Sequence, residues 1–490
     1  PGRRVTAGDP AMTASRPAVT PPGVPGGTAP GVPGGTAPGV PGGTAPGVPV
    51  GIGPRGPGGS ARSDAPKAWL ARRLFPVLAT AGLIAVSMAS TTWWGPLLAG
   101  GSAWFRPDDL WGTLAAAQRL AHLDLAGLYT RPTGLISLPG AAVVLVPVVA
   151  LTDAAGLPLQ VHAVHPVAWL LAGPYEMALS AAVLFGADAL AERLGASRPR
   201  RALVAGAGAV ALLSVSVCWG HPEDAVAIGL MLQAFLALSV SRTARAGWLT
   251  GAAVAVQPLV LLAVPILVVA IGPRRRVGFL ARAAAPGALL LAAAAAANWT
   301  ATVNAVTRQP NWPSVDHPTL WLSLAPHLPG GAVATGPARM LAVFAACGCG
   351  YTASRHARAA DGAPAASGAL AGRDPGGCDA DMLRYMLWLA AVALALRSVF
   401  EPVMVAYYLW PPLALALITA SRSWSRLVPT ALVVAAVTLV SQAPWRNPWT
   451  WWVPMIAGLG LALALAHVRP PAGTRPRGIP RAATPPACPP

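Results

Sequence analysis

Uncharged apolar runs long enough to cross a bilayer recur along this chain, and the sharpest pair flanks a polar knot. Residues 202–218 carry no charge and residues 225–241 carry none, with Trp219-Gly220-His221-Pro222-Glu223-Asp224 between them. A charge at the centre of a bilayer is costly, so His221, Glu223 and Asp224 belong at a membrane surface or in a wet cavity. Composition agrees. Of 490 residues, 54% are hydrophobic and 11% charged, against about 25% charged in an ordinary soluble domain. The expected class is an all-α, polytopic transmembrane bundle of roughly 10–12 spans, set by the recurrence of apolar runs and the length a crossing needs.

The net charge of +18 is almost wholly arginine, since Lys67 is the only lysine. Those arginines fall between apolar runs, where topology accounts for them, and no nucleic-acid partner is expected. Five scattered cysteines, at 218, 347, 349, 378 and 488, suit neither a disulfide framework nor a zinc site.

Three segments follow. Residues 1–66 repeat GVPGGTAP at 23–30, 31–38 and 39–46, and proline and glycine at that density predict a disordered tail. Residues 67–468 form the membrane domain, and 469–490 a disordered basic tail. The first span covers 74–98, behind Lys67, Arg72 and Arg73. The positive-inside rule puts both termini in the cytoplasm and the loop 100–133 outside. Later arginine clusters alternate with runs at 203–219, 225–241, 279–297, 338–353, 383–400, 403–420, 428–443 and 450–467. Residues 247–271 contain Pro258 and Pro265 and have arginines at both ends, which fits a broken or re-entrant pair of half-helices. Between 135 and 190 lie two runs where parity wants an odd number of crossings. Either one of them, the run holding Pro139 and Pro147 for example, is re-entrant, or the arginines at 198–201 lie outside. On this topology Trp93, Trp94, Trp104, Trp111, Trp219, Trp299, Trp312, Trp321, Trp445, Trp449, Trp451 and Trp452 fall near the outer face, 12 of 18 tryptophans. A thick interfacial belt and aromatic faces for sugar rings both explain that bias.

Chemistry concentrates on the outer side. Asp108 and Asp109 follow the first span; one carboxylate is a candidate general base, while Asp108 also suits the cap of a helix starting at Asp109. A helix beginning at Pro222 puts Glu223 and Asp224 in its first turn, where its dipole favours acids. The same cluster reads as a polar floor for a hydroxylated or phosphorylated ligand, with His221 as a donor. Arg397 and Glu401, four apart at the outer end of a span, read as a local ion pair or as a phosphate contact through Arg397. Asp316-His317-Pro318 is a weaker signal, and Glu176 is the main charge inside a span. No helical ligand pair points to a metal.

Taken together, residues 74–467 resemble the GT-C superfamily of integral-membrane glycosyltransferases. The resemblance rests on the acidic loop with Asp108 and Asp109, on Leu128-Tyr129 through Leu138-Pro139 and Pro147, on Gly220-His-Pro-Glu223-Asp224, and on Gly247 through Gln257-Pro258 to Pro265. Bacterial mannosyltransferase-like members often carry a Gly-Gln-x-Asn loop where this chain has Gly-His-Pro-Glu, and a lysine where it has Gln257. The resemblance implies transfer of a sugar, mannose being one such sugar, from a polyprenyl-phosphate donor to a cell-envelope glycan or glycolipid acceptor. The resemblance also implies that this transfer takes place at the outer face of the cytoplasmic membrane. It implies Asp108 or Asp109 as base and His221, Glu223, Asp224, Gln257, Arg397 and Glu401 as substrate-binding residues. The lipid-linked donor is a co-substrate, and neither a cofactor nor a metal is expected. A transporter or flippase, built with the same broken helices around a midplane site, is the rival reading, and a catalytically inactive membrane protein a third.

Overall fold

A computed structural model describes residues 65–99, 107–130, 135, 137–159, 165–314, 316–361, 379–443 and 447–470. The chain divides into Pro1–Arg62 and Ser63–Pro490, and every described residue belongs to the second unit. The expected tails therefore lie largely outside the described residues, as does the side chain of Asp108.

Helices make up nearly all of the regular structure, and the only strands among the described residues are His317–Pro318 and Val403–Met404, paired antiparallel. Among the described residues, eight helices are long and apolar enough to cross a membrane: Leu74–Thr91, Trp169–Arg193, Arg198–Trp219, Pro222–Ser239, Pro273–Ala297, Ala380–Phe400, Trp424–Ser441 and Pro448–Leu465. Their burial sorts them. Pro222–Ser239 is 72% buried and Ala380–Phe400 67%, which makes them central, whereas Pro273–Ala297 and Pro448–Leu465, at 22%, turn most of their apolar surface outward. An apolar face of that size needs lipid against it.

Two further segments run between the same two ends of the bundle. Ala338–Asp361 carries Arg339 at its start and Arg355, His356 and Arg358 near its finish, and it is not among the eight. Residues 403–420 do not form one helix. The strand Val403–Met404 leads into a 3-10 turn, Ala406–Leu409, and only Trp410–Ala420 is α-helical. Pro402, Pro411 and Pro412 explain the change, because proline withholds a backbone donor and pushes its predecessor out of the helical region. The expected 10–12 spans are thus eight long apolar helices, these two segments and shorter pieces.

The broken regions are both found. Pro139–Val143 and Val146–Ala154 are short helices, followed by one full-length helix, Trp169–Arg193. The short pair stays at one end of the bundle: Asp153 Oδ2 lies 3.6 Å from His122 Nε2. Of the two runs between 135 and 190, only the second forms a described helix long and apolar enough to cross a membrane. Thr243–Val256 ends at Gln257, and Pro258–Ala263 and Val264–Val269 lead back. Gly247 packs on Phe279 and Arg282, and Gly251 on Arg282 and Pro286. Thr243–Val256 therefore runs parallel to Pro273–Ala297, and the segment leaves and returns to one end of the bundle.

That end holds the arginines. Buried Asp188 accepts from Arg201 Nε at 2.7 Å and Nη2 at 2.6 Å, and it pairs with Arg73. These bonds clamp the first span to the next two, and a buried carboxylate so paired is costly to strip of its partners.

Candidate active site

The opposite end holds a cavity of about 300 Å³. Asp109, His221, Glu223, Gln257, Asp316 and Arg397 line it, with Trp219, Trp312, Tyr407 and Tyr408.

Two backbone features aim the polar knot at this space. A π-helical turn, Leu213–Trp219, closes the Arg198–Leu212 helix; such turns displace the side chains that follow them. Gly220 then takes φ +72°, a conformation that glycine adopts without penalty. Space demands glycine as well: a Cβ there would stand 2.7 Å from Pro107 Cβ and 2.8 Å from Leu110 Cβ. With no Cβ, the Asp108–Ala121 helix seats directly on the turn.

Asp109 and His221 meet through that contact. His221 Nε2 lies 3.1 Å from Asp109 Oδ2, and Nδ1 lies 2.7 Å from Glu223 Oε1. Burial alone would lower the imidazole pKa, but the Glu223 charge and hydrogen bonds to Asp109 and Glu223 push it up to about 10. His221 is therefore an imidazolium at neutral pH that donates from both nitrogens. Tyr407 covers it, with ring centroids 4.1 Å apart. Asp109 remains 49% exposed, so its carboxylate is oriented yet open to the cavity.

Asp224 is buried, and Gln257 Nε2 donates to its Oδ1. Gln257 is free to do so because it ends the outgoing half of the re-entrant segment. Glu223 Oε2 and Asp224 Oδ2 are buried without a hydrogen-bond partner among the described residues. Buried acceptors are rarely left so.

Arg397 and Glu401 part company. Glu401 is fully buried and takes a bidentate pair from Arg339, with Nε 3.2 Å from Oε2 and Nη2 on Oε1. Glu401 is hydrogen-bonded to Arg339 and not to Arg397, and it is not among the residues that line the cavity. Arg397 lines the cavity, its Cζ 3.8 Å from the Tyr408 ring centroid. It makes no hydrogen bond among the described residues.

Asp316 is the addition. Thr319 Oγ1 donates to Glu401 O at 2.6 Å and Trp321 Nε1 to Val399 O at 2.7 Å, while His317 stacks on Trp451 at 3.8 Å. These contacts fold the loop over the cavity mouth and place Asp316 in its wall. Burial first, and then the charge of Asp109, lift the Asp316 carboxyl to about 6. A carboxyl in that range exchanges protons near neutral pH. The one sequence signal for it was the Asp-His-Pro triplet in a tryptophan-rich loop.

No protein-family model matches the chain, and no curated protein matches it. The functional reading therefore rests on the site itself.

Proposed function

We propose that this protein is a GT-C-type membrane glycosyltransferase that uses a polyprenyl-phosphate sugar. One observation carries the reading: the cavity joins an open carboxylate, Asp109, and an arginine free of hydrogen bonds, Arg397, within a wall rich in acids and aromatic rings. Asp109 takes the proton of an acceptor hydroxyl, whose oxygen attacks the anomeric carbon as the bond to the lipid phosphate breaks. The leaving phosphate carries away the electron pair, and Arg397 offsets its charge through two parallel donors. Glu223 and Asp224 stabilise positive charge on the sugar. His221, held as a cation, fixes Asp109. Trp219, Trp312, Tyr407 and Tyr408 supply rings against which a sugar packs. The acceptor is a cell-envelope glycan or glycolipid. The arginine-bearing end faces the cytoplasm by the positive-inside rule, which turns the cavity outward.

A second reading, coupled transport, draws on Glu176. It is fully buried inside the Trp169–Arg193 helix, and among the described residues neither carboxylate oxygen has a hydrogen-bond partner. Intramembrane carboxyls of this kind mark ion and proton paths.

The experiment is sugar transfer by membranes containing the wild type, Asp109→Asn or Arg397→Gln, with radiolabelled polyprenyl-phosphate sugars and envelope acceptors. Loss of a general base lowers the rate by about 10²–10⁴-fold. Equal transfer by wild type and Asp109→Asn removes the proposed base. No transfer by the wild type, with Glu176-dependent proton uptake in vesicles, establishes transport instead.

A further inference from the structure

The arginine-bearing end holds a second cavity, of about 470 Å³, that plays no part in the proposed reaction. Arg72, Arg73, Arg193, Arg242 and Arg245 line it, and among the described residues Glu192 is the one acid in its wall. That carboxylate is already committed, to Arg72 at 2.8 Å and Arg73 at 3.0 Å. Arg193 Nη2 donates to Ser239 O at 3.2 Å. Arg242 and Arg245 are exposed, and neither side chain has a hydrogen-bond or acidic partner among the described residues. The cavity therefore carries a surplus of positive charge with two guanidinium groups free.

Apolar surface adjoins it. Val240 in its wall is 51% exposed, and one turn before Arg72 the short helix Ala65–Arg72 exposes Trp69 and Leu70 at 54% and 47%. Tryptophan beside arginine at the end of membrane helices is the signature of the head-group layer. A small soluble anion would neutralise the arginines and leave Val240, Leu70 and Trp69 in water; a lipid covers both. Basic pockets between membrane helices suit phosphate-bearing head groups for this reason.

We propose that this cavity binds the phosphate of an anionic membrane lipid, held by Arg242 and Arg245, with its acyl chains towards Val240. The site is independent of the reaction assigned to the other end.

Native mass spectrometry of the full chain in detergent tests it, with phosphatidylglycerol and phosphatidylcholine supplied together. Wild type retains phosphatidylglycerol in preference. Removing an arginine near a lipid head group costs about five-fold, so Arg242→Gln/Arg245→Gln lowers that preference by roughly 25-fold. Arg274→Gln/Arg275→Gln, exposed at the same end and outside the cavity, retains it. Millimolar inorganic phosphate does not displace the lipid. Undiminished retention by the Arg242/Arg245 variant overturns the proposal. Equal loss in the Arg274/Arg275 variant overturns it in favour of diffuse attraction, and displacement by inorganic phosphate overturns it in favour of a soluble ligand.

Discussion

Replacing Arg339 with glutamine tests the pairing at the cavity end. Glu401 is fully buried, and removing its guanidinium leaves a charge without compensation. Breaking such a pair costs about 3–5 kcal/mol; because Arg339 is itself 33% exposed, the lower end, about 3 kcal/mol, applies. With an unfolding entropy of about 2.1 cal/mol/K per residue over roughly 400 residues, that is a fall in Tm of about 3–4 °C. Arg397→Gln forfeits its contact with Tyr408, worth about 0.5–2 kcal/mol, and the attraction of Glu401 and Asp224, but it breaks no hydrogen-bonded pair, so it lowers Tm less than Arg339→Gln. The double variant Arg339→Gln/Glu401→Gln recovers much of the loss, since a neutral amide is far cheaper to bury. Thermal unfolding of the purified chain in one detergent ranks the three. Should Arg397→Gln prove the more damaging, or the double variant be no better than Arg339→Gln, Glu401 has another partner and Arg339 is not what compensates its charge.

Gly220→Ala puts a Cβ against Pro107 and Leu110 at a left-handed φ, at a combined cost of about 2–5 kcal/mol. It should lower Tm and abolish transfer together, whereas Gly206→Ala, with open space around it, changes neither. The charge on His221 stabilises the fold fully below about pH 6.5, its ordinary value, and that contribution fades as pH rises through about 10; Tm of His221→Gln should be flatter across this window. Asp316 gains its charge near pH 6, and the Asp109 charge is one reason it does so this high. In Asp109→Asn the Asp316 midpoint therefore falls, which infrared titration of the carboxyl band follows; an unchanged midpoint separates the two acids.

Much of this architecture could be read from residue order. Uncharged runs gave the long helices because their backbone groups must pair within each segment in lipid. Pro139, Pro147, Pro258 and Pro265 announced the breaks, and Gly220 through Asp224 announced the cavity. What escaped depends on distance. Glu401 has Arg397 four residues away and Arg339 62 residues away, and local spacing favours the wrong one. Residues 403–420 are apolar enough for a helix, but buried segments satisfy their backbone through neighbours, as the carbonyl of Pro402, just before them, does by accepting from Thr319 N at 3.0 Å. Asp316 reaches the cavity through strand pairing and ring stacking that leave no periodic trace.

The helix Thr243–Val256 begins beside Arg242 and ends at Gln257, which holds Asp224. Fourteen residues at 1.5 Å each make a strut of about 21 Å. Rigid along its axis, it works as a spacer: its foot stands among guanidinium groups, its tip among carboxylates, and its length sets the depth at which the Gln257 amide meets Asp224.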